Sequence, residues 1–322
     1  MSVDDWPSIF DPSSCVRRGL CPVTQIRHTT AFESHSLYFE QHGTGPEKLV
    51  FVMGLNSSSF AWALQVAHFS KLPQYSVLVF DNRGVGYSGV PRGPFTTSAM
   101  AEDLIALLDY VGWKEPGGIH IIGLSLGGMI AQEVAYRIPE RITSLTLGVT
   151  TPGGYPWTNF PPWKGIIGLL KATFTKDLAV KVPIIHDMVF TKSWLEDKDE
   201  EDPSRTNRER ETEVLTKRMN LTKPQTLLGT VYQMCAGLTH HVTPDRLRKI
   251  SSSVPKVLLV TGDEDNLVKA DNTFYLKRHM PEAELVQWEN TGHAIHYQRR
   301  REFNALVERA VKEGREKSLK RD

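Results

Sequence analysis

The sequence predicts an α/β protein with a mostly parallel central sheet, helices on its faces and one helical insertion. Three observations predict it. Short apolar runs rich in β-branched residues recur through the first 152 residues, each followed by a helical pattern. That rhythm stops over 153–250, where no convincing strand is found, and it resumes at 256.

The elements follow in order. Residues 36–43 (SLYFEQHG), 48–54 (KLVFVMG) and 76–82 (SVLVFDN) read as strands, with a helix over 60–70 between the last two. A helix is expected over 96–112, with Thr96 or Thr97 as its N-cap, Ala101, Leu104, Leu107, Leu108 and Val111 on one face, and Gly112 as its stop. Residues 118–125 read as a strand, 126–138 as a helix stopped near Pro139, and 142–151 as a strand. After the insertion come a strand over 256–263, a helix around 268–279, a strand over 284–290 and a terminal helix from about Glu302.

One core of residues 1–152 and 251–322 and one helical cap of residues 153–250 are therefore expected. The cap opens with a cluster of Pro, Gly and aromatic residues and carries Tyr155, Trp157, Phe160, Trp163, Phe174, Phe190, Trp194 and Tyr232. Most of these aromatics are expected in the cap core, with a few facing substrate. The polar run over 195–213 reads as a mobile solvated loop, and His240-His241 as a surface pair.

Composition narrows the function. Basic residues number 38 and acidic residues 37, so no electrostatic footprint for a nucleic acid exists, and a small-molecule substrate is favoured. No apolar run approaches a membrane span, and the first residues lack the pattern of a secretory signal. Cys15, Cys21 and Cys235 are too few and odd in number for a disulfide framework, so a reducing, cytoplasmic setting is expected. In that setting the sequons at Asn56 and Asn220 carry no weight. The oligomeric state is left open.

The chemistry sits in three loops. Gly123-Leu124-Ser125-Leu126-Gly127-Gly128 joins a strand to a helix, which is the context that G-x-S-x-G requires. Glycines are needed where a sharp turn brings backbones too close for a Cβ, and the turn presents Ser125 as a nucleophile. A serine needs a base, and His293 lies in the loop after the last strand, behind Gly292. The imidazole needs an orienting carboxylate, which the loop after the preceding strand supplies. Asp265 is preferred there because it lies past the strand end; Asp263 competes, as a residue that caps the turn, and Glu264 points elsewhere.

Other patterns are weighed against these. His296 reads as a surface or supporting histidine, and His293 with His296 forms an H-x-x-H that lacks a third metal ligand, so no metal is expected. Gly84-x-Gly86-x-x-Gly89 imitates a dinucleotide fingerprint but is followed by Pro91 and Pro94 where a helix must open. No cofactor is expected.

With these residues in place the chain resembles the α/β-hydrolase fold family, in its serine esterase and lipase-like branch with an inserted cap. Ser125, Asp265 and His293 keep that family's order of serine, acid and histidine. Asp81-Asn82-Arg83-Gly84-Val85-Gly86-Tyr87-Ser88 is similar to the family's D-x-R-G-x-G-x-S turn. The resemblance covers about 36–152 and 251–310 and implies an oxyanion hole from the amides of Leu126 and Leu55, although Met53-Gly54 stands where the family has His-Gly. It implies hydrolysis of a carboxylic ester, lactone or thioester through an acyl-enzyme. The same groups would also suit a cofactor-free lyase, a perhydrolase, an acyltransferase or a slow-turnover receptor.

Overall fold

The computed structural model describes residues 3–27, 34–155, 157 and 159–320. Eight strands form one sheet: β1 (Cys15–Pro22), β2 (Ser36–His42), β3 (Glu47–Val52), β4 (Tyr75–Phe80), β5 (Ile119–Leu124), β6 (Ile142–Gly148), β7 (Lys256–Gly262) and β8 (Glu284–Trp288). Their spatial order is β1-β2-β4-β3-β5-β6-β7-β8. β2 runs antiparallel to β1 and β4, and every pair from β4 to β8 is parallel. A parallel sheet needs both faces covered. Alternate residues therefore serve different cores: Val50, Val52, Ile119 and Ile121 join the core beneath α3 (Thr97–Val111) and α4 (Leu126–Arg137). Leu49, Phe51, Val77 and Val79 point the other way, toward α2 (Ala63–Phe69) and α13 (Arg300–Ser318).

Capping chemistry sets several helix ends. Thr96 accepts from the amide of Ala99 at 3.1 Å, and Gly112 ends α3 at φ +82°, a conformation that favours glycine. Between β6 and β7 the chain forms α5 (Trp163–Phe174), α6 (Leu178–Val189), α7 (Lys192–Glu196), α8 (Asn207–Leu221), α9 (Leu227–Leu238) and α10 (Pro244–Ser253). Among the described residues of that segment, extended pairing is confined to two single bridges, Gly153 with His241 and Lys198 with Thr206. The first of these zips the two ends of the segment together, with Val242 N–H donating to Pro152 O at 2.8 Å and Gly154 N–H to His240 O at 3.0 Å.

Three expectations are corrected. The run over 195–213 is ordered rather than a solvated loop: Thr206 and Glu209 form a reciprocal capping box that starts α8, and the buried Asp199 accepts from the amides of Glu201 and Asp202. His240 is buried with Nδ1 2.8 Å from Thr97 Oγ1, while His241 is exposed. Five of the eight aromatics assigned to the insertion, Tyr155, Trp157, Phe160, Trp163 and Phe174, face solvent instead of packing inside. Phe190 is buried and stacks on Trp194, and Tyr232 packs against Phe95.

The N-terminal residues contribute a strand that the sequence did not announce. β1 pairs with β2 from Cys15 opposite His42 to Pro22 opposite Ser36, and it forms one edge of the sheet. Among the described residues no helix is long and apolar enough to cross a membrane.

Candidate active site

Because β3, β5, β7 and β8 are parallel, their C-terminal ends and the loops that follow share one edge of the sheet. Ser125 stands at the end of β5 with φ +56° and ψ −123°, a strained conformation for a residue with a side chain. The elbow needs its glycines. A Cβ on Gly123 would lie 2.5 Å from Gly127 O, and one on Gly127 would lie 2.1 Å from Val52 O. The backbone of Ser125 is fully tied down: its amide donates to Gly148 O at 2.9 Å, and its carbonyl accepts from the amides of Gly128 and Met129 and from Thr150 Oγ1 at 2.7 Å. Its hydroxyl, by contrast, caps none of the helix amides, which is the usual task of a serine at this position.

Asp265 and His293 meet as expected. Nδ1 of His293 lies 2.7 Å from Asp265 Oδ2, while Oδ1 accepts from the amides of Leu267 at 2.7 Å and Val268 at 2.9 Å. An ionised carboxylate can only accept, so Nδ1 is the donor in this pair, and in the neutral imidazole it is Nε2 that carries the lone pair. The Asp265 side chain is wholly buried and that of His293 nearly so. Asp263 reaches across to another loop instead of capping its own turn: its Oδ1 accepts from the amide of Thr291 at 3.1 Å, tying the two loops together. Gly262 allows this approach, since a Cβ there would lie 2.1 Å from Thr291 O. Glu264 is exposed. Among the described residues, no hydrogen bond joins the Ser125 hydroxyl to the imidazole.

Leu126 follows the serine directly, and Leu55 follows Gly54 beyond the end of β3. Leu126 is the first residue of α4, so its N–H has no partner within the helix. Gly54, just before Leu55, brings the end of β3 against the nucleophile: a Cβ there would lie 3.1 Å from Ser125 Cβ and 3.6 Å from its Oγ. Asn56, at φ +53°, donates its amide to Gln233 Oε1 at 2.8 Å, and Gln225 Nε2 donates to Asn56 Oδ1 at 3.1 Å. Gln233 in α9 is fully buried and its Nε2 also donates to Arg83 O at 2.8 Å. Neither Gln233 nor Thr150 was singled out from the sequence. The available signal for Gln233 was a long polar side chain in the middle of the apolar and small-residue run LLGTVYQMCAGL.

The Asp81 turn is a scaffold beside the site. Asp81 is buried and accepts from the amide and hydroxyl of Ser59 and from the amide of Tyr87, and burial still pushes its carboxyl up to about 6. Arg83 grips Asp103 through Nε and a terminal nitrogen, each at 2.6 Å, and His35 Nε2 lies 3.1 Å from the same carboxylate. Burial pushes Asp103 up, but hydrogen bonds from His35 and Arg83 outweigh it and hold its carboxyl below the usual range.

His296 is corrected from a surface histidine to a core one. It packs with its ring centroid 4.9 Å from Trp62, and burial pushes its pKa down to about 3. It faces an aromatic core. Among the described residues one group of three possible metal donors, Cys15, Glu40 and His42, lies in the β1–β2 pair and outside the loops that carry Ser125, Asp265 and His293.

Comparison with known proteins agrees with this architecture. The family profile described as the alpha/beta hydrolase fold matches residues 48–299. The chain is 29% identical over 130 residues to 3-oxoadipate enol-lactonase 2 of Acinetobacter baylyi, covering 40% of this chain and 47% of the relative. It is 26% identical over 214 residues to the poly(3-hydroxyalkanoate) depolymerase of Ectopseudomonas oleovorans, covering 66% of this chain and 67% of the relative. The matches to the first three curated relatives span 40% to 67% of those relatives' length. A thermophilic esterase from Thermogutta terrifontis superposes with a TM-score of 0.70 at 19% identity, over 93% of this chain and 99% of that one, and this likeness is one of fold.

Proposed function

The chain belongs to the α/β-hydrolase fold family, and from that premise we propose that it is a serine hydrolase that cleaves a small apolar carboxylic ester, lactone or thioester. The observation that carries this reading is Ser125, held at φ +56° by its backbone while its hydroxyl is left out of helix capping. Strain of this kind costs roughly 1–3 kcal/mol and persists where surrounding structure enforces it. The names of the enol-lactonase and depolymerase relatives fit the substrate class.

In the proposed reaction Ser125 Oγ bonds to the acyl carbon as its proton passes to His293 Nε2. Asp265 holds the Nδ1 proton and stabilises the imidazolium. The amides of Leu126 and Leu55 receive the charge that develops on the acyl oxygen. Collapse breaks the bond to the leaving group, which takes the proton from His293 and leaves an acyl-serine. A water molecule then gives its proton to Nε2 as its oxygen attacks the acyl carbon, and the second collapse returns the proton to Ser125. These steps draw on protein groups and one water molecule. Residues 153–250 act as a cap over a core of 1–152 and 251–322, and Gln233 is a positioning residue that binds the cap to the loop carrying Leu55.

The test is steady-state hydrolysis of short-chain and medium-chain p-nitrophenyl esters by the wild type and Ser125→Ala, with fluorophosphonate labelling of both. The wild type should turn over and label, and Ser125→Ala should lose labelling and about 10⁴-fold or more in kcat/KM. Activity that survives in Ser125→Ala overturns the mechanism. Labelling of the wild type without turnover of either ester would replace hydrolysis by transfer to another acceptor or by a receptor role.

A further inference from the structure

Helix α5 is built inside out. Its large apolar residues Trp163, Ile167, Leu170 and Phe174 follow i, i+4, i+7, i+11 and lie on the solvent side, with Trp163 and Phe174 each 72% exposed. The fully buried positions of its inward face are small residues. A Cβ on Gly165 would lie 2.1 Å from Asn266 O, one on Gly168 would lie 2.9 Å from Met188 Sδ, and Ala172 is buried. The backbone of α5 is thus seated closely through its small residues, with Ile166 and Leu169 half-buried beside them, while Trp163, Ile167, Leu170 and Phe174 are left outward. The arm before it exposes Trp157 and Phe160 as well. Monomers in water rarely leave an apolar stripe of this kind uncovered.

Charge identifies what covers it. Lys164, Lys171 and Lys176 are exposed on or just beyond this helix, and no acidic residue occurs between Glu140 and Asp177. Asp177 spends its carboxylate on the amide of Ala179 as the cap of α6. A second copy of the chain docked face to face about a twofold axis would bring these lysines together with no carboxylate in the stripe to pair them. An anionic lipid surface supplies both parts of the complement: an apolar layer for the aromatic side chains and headgroup charge for the lysines. Aromatic residues are favoured at that boundary. We propose that α5 is an interfacial helix by which the protein docks on anionic lipid. Gly165 rests on Asn266, next to Asp265, so the docked helix adjoins the loop of the candidate acid.

The experiment is flotation of the full chain with unilamellar vesicles of phosphatidylcholine plus phosphatidylglycerol, and of phosphatidylcholine alone. The wild type and Ser125→Ala should both float with the anionic vesicles, which separates docking from hydrolysis. Lys164→Glu/Lys171→Glu should weaken binding by roughly fivefold or more per lysine, raised salt should do likewise, and Trp163→Ser/Phe174→Ser should abolish it. Turnover of a soluble ester and the unfolding midpoint, both unchanged, would show that the variants fold. Wild-type protein that stays unbound, or binding that ignores all four substitutions, overturns the proposal. So does a lipid-free dimer that Trp163→Ser/Phe174→Ser converts to monomer, since the stripe would then be an interface between copies.

Discussion

Asp263 and Asp265 lie two residues apart on one loop, yet their hydrogen bonds divide their work. Asp265→Asn leaves the loop in place but can present an N–H to Nδ1 and favour the wrong tautomer, so kcat should fall about 10⁴-fold with the unfolding midpoint little changed. Asp263→Ala should do the reverse: stability falls by about 1–3 kcal/mol because the buried Thr291 amide loses its acceptor, and turnover stays within about tenfold. An Asp263→Ala variant that is folded but dead would reassign the acid. His296 makes a pH prediction. Its folded pKa of about 3 lies below the usual 6.5, so between those values the unfolded chain binds more protons, and stability falls as the pH drops through that window. His296→Phe removes the term and should gain about 2 kcal/mol on the wild type between pH 8 and pH 5, read by denaturant unfolding at each pH. Parallel pH curves for the two proteins would show that this imidazole is not held neutral by burial. The turn at Ser125 was legible because the elbow and its glycines obey local steric rules that a sequence displays. The burial of His296 was not, because it depends on Trp62, far away in the chain.

At the scale of elements, α9 reaches across to two loops of the sheet through one side chain. Gln233→Leu keeps the volume but leaves the Asn56 amide and the Arg83 carbonyl without their partner. Because Asn56 follows Leu55, kcat should drop roughly tenfold or more with KM near its wild-type value. Gln233→Glu, which can still accept from Asn56, should recover part of that loss. A rise in KM alone would make Gln233 a substrate contact and not a positioning residue. The strands of the parallel sheet were legible to within one to three residues at most ends, since buried strands read as apolar runs. β1 was not. Its sequence CVRRGLCP carries two arginines and a glycine on an edge with only Cys21 buried, so neither an apolar run nor a clean alternation marks it. The polar segment before α8 misled for a related reason: its order comes from caps and ion pairs such as Arg300 with Glu201, which leave no hydrophobic trace.

Across the whole molecule, Asp103 gathers parts that are distant in sequence: His35 ahead of β2, the Arg83 turn after β4, and α3 itself. Arg83 and Asp103 are both buried, so Asp103→Ala strands a guanidinium in the interior and should cost about 3–5 kcal/mol by urea unfolding, with the site chemistry of the folded fraction preserved. A change below about 1 kcal/mol would mean that water reaches Arg83. Such coupling was visible in the sequence only as a turn pattern, because its partners are set by the folded topology. The neck formed by Gly153 and His241 has a wider consequence. The chain leaves the sheet at the end of β6, and the bridge of Gly153 with His241 brings it back beside itself before α10 leads into β7, so everything between those two residues starts and finishes within about 5 Å. Such a segment can be lengthened, shortened or exchanged wholesale without shifting a single strand register, so descent is free to revise it while the sheet stays as it is.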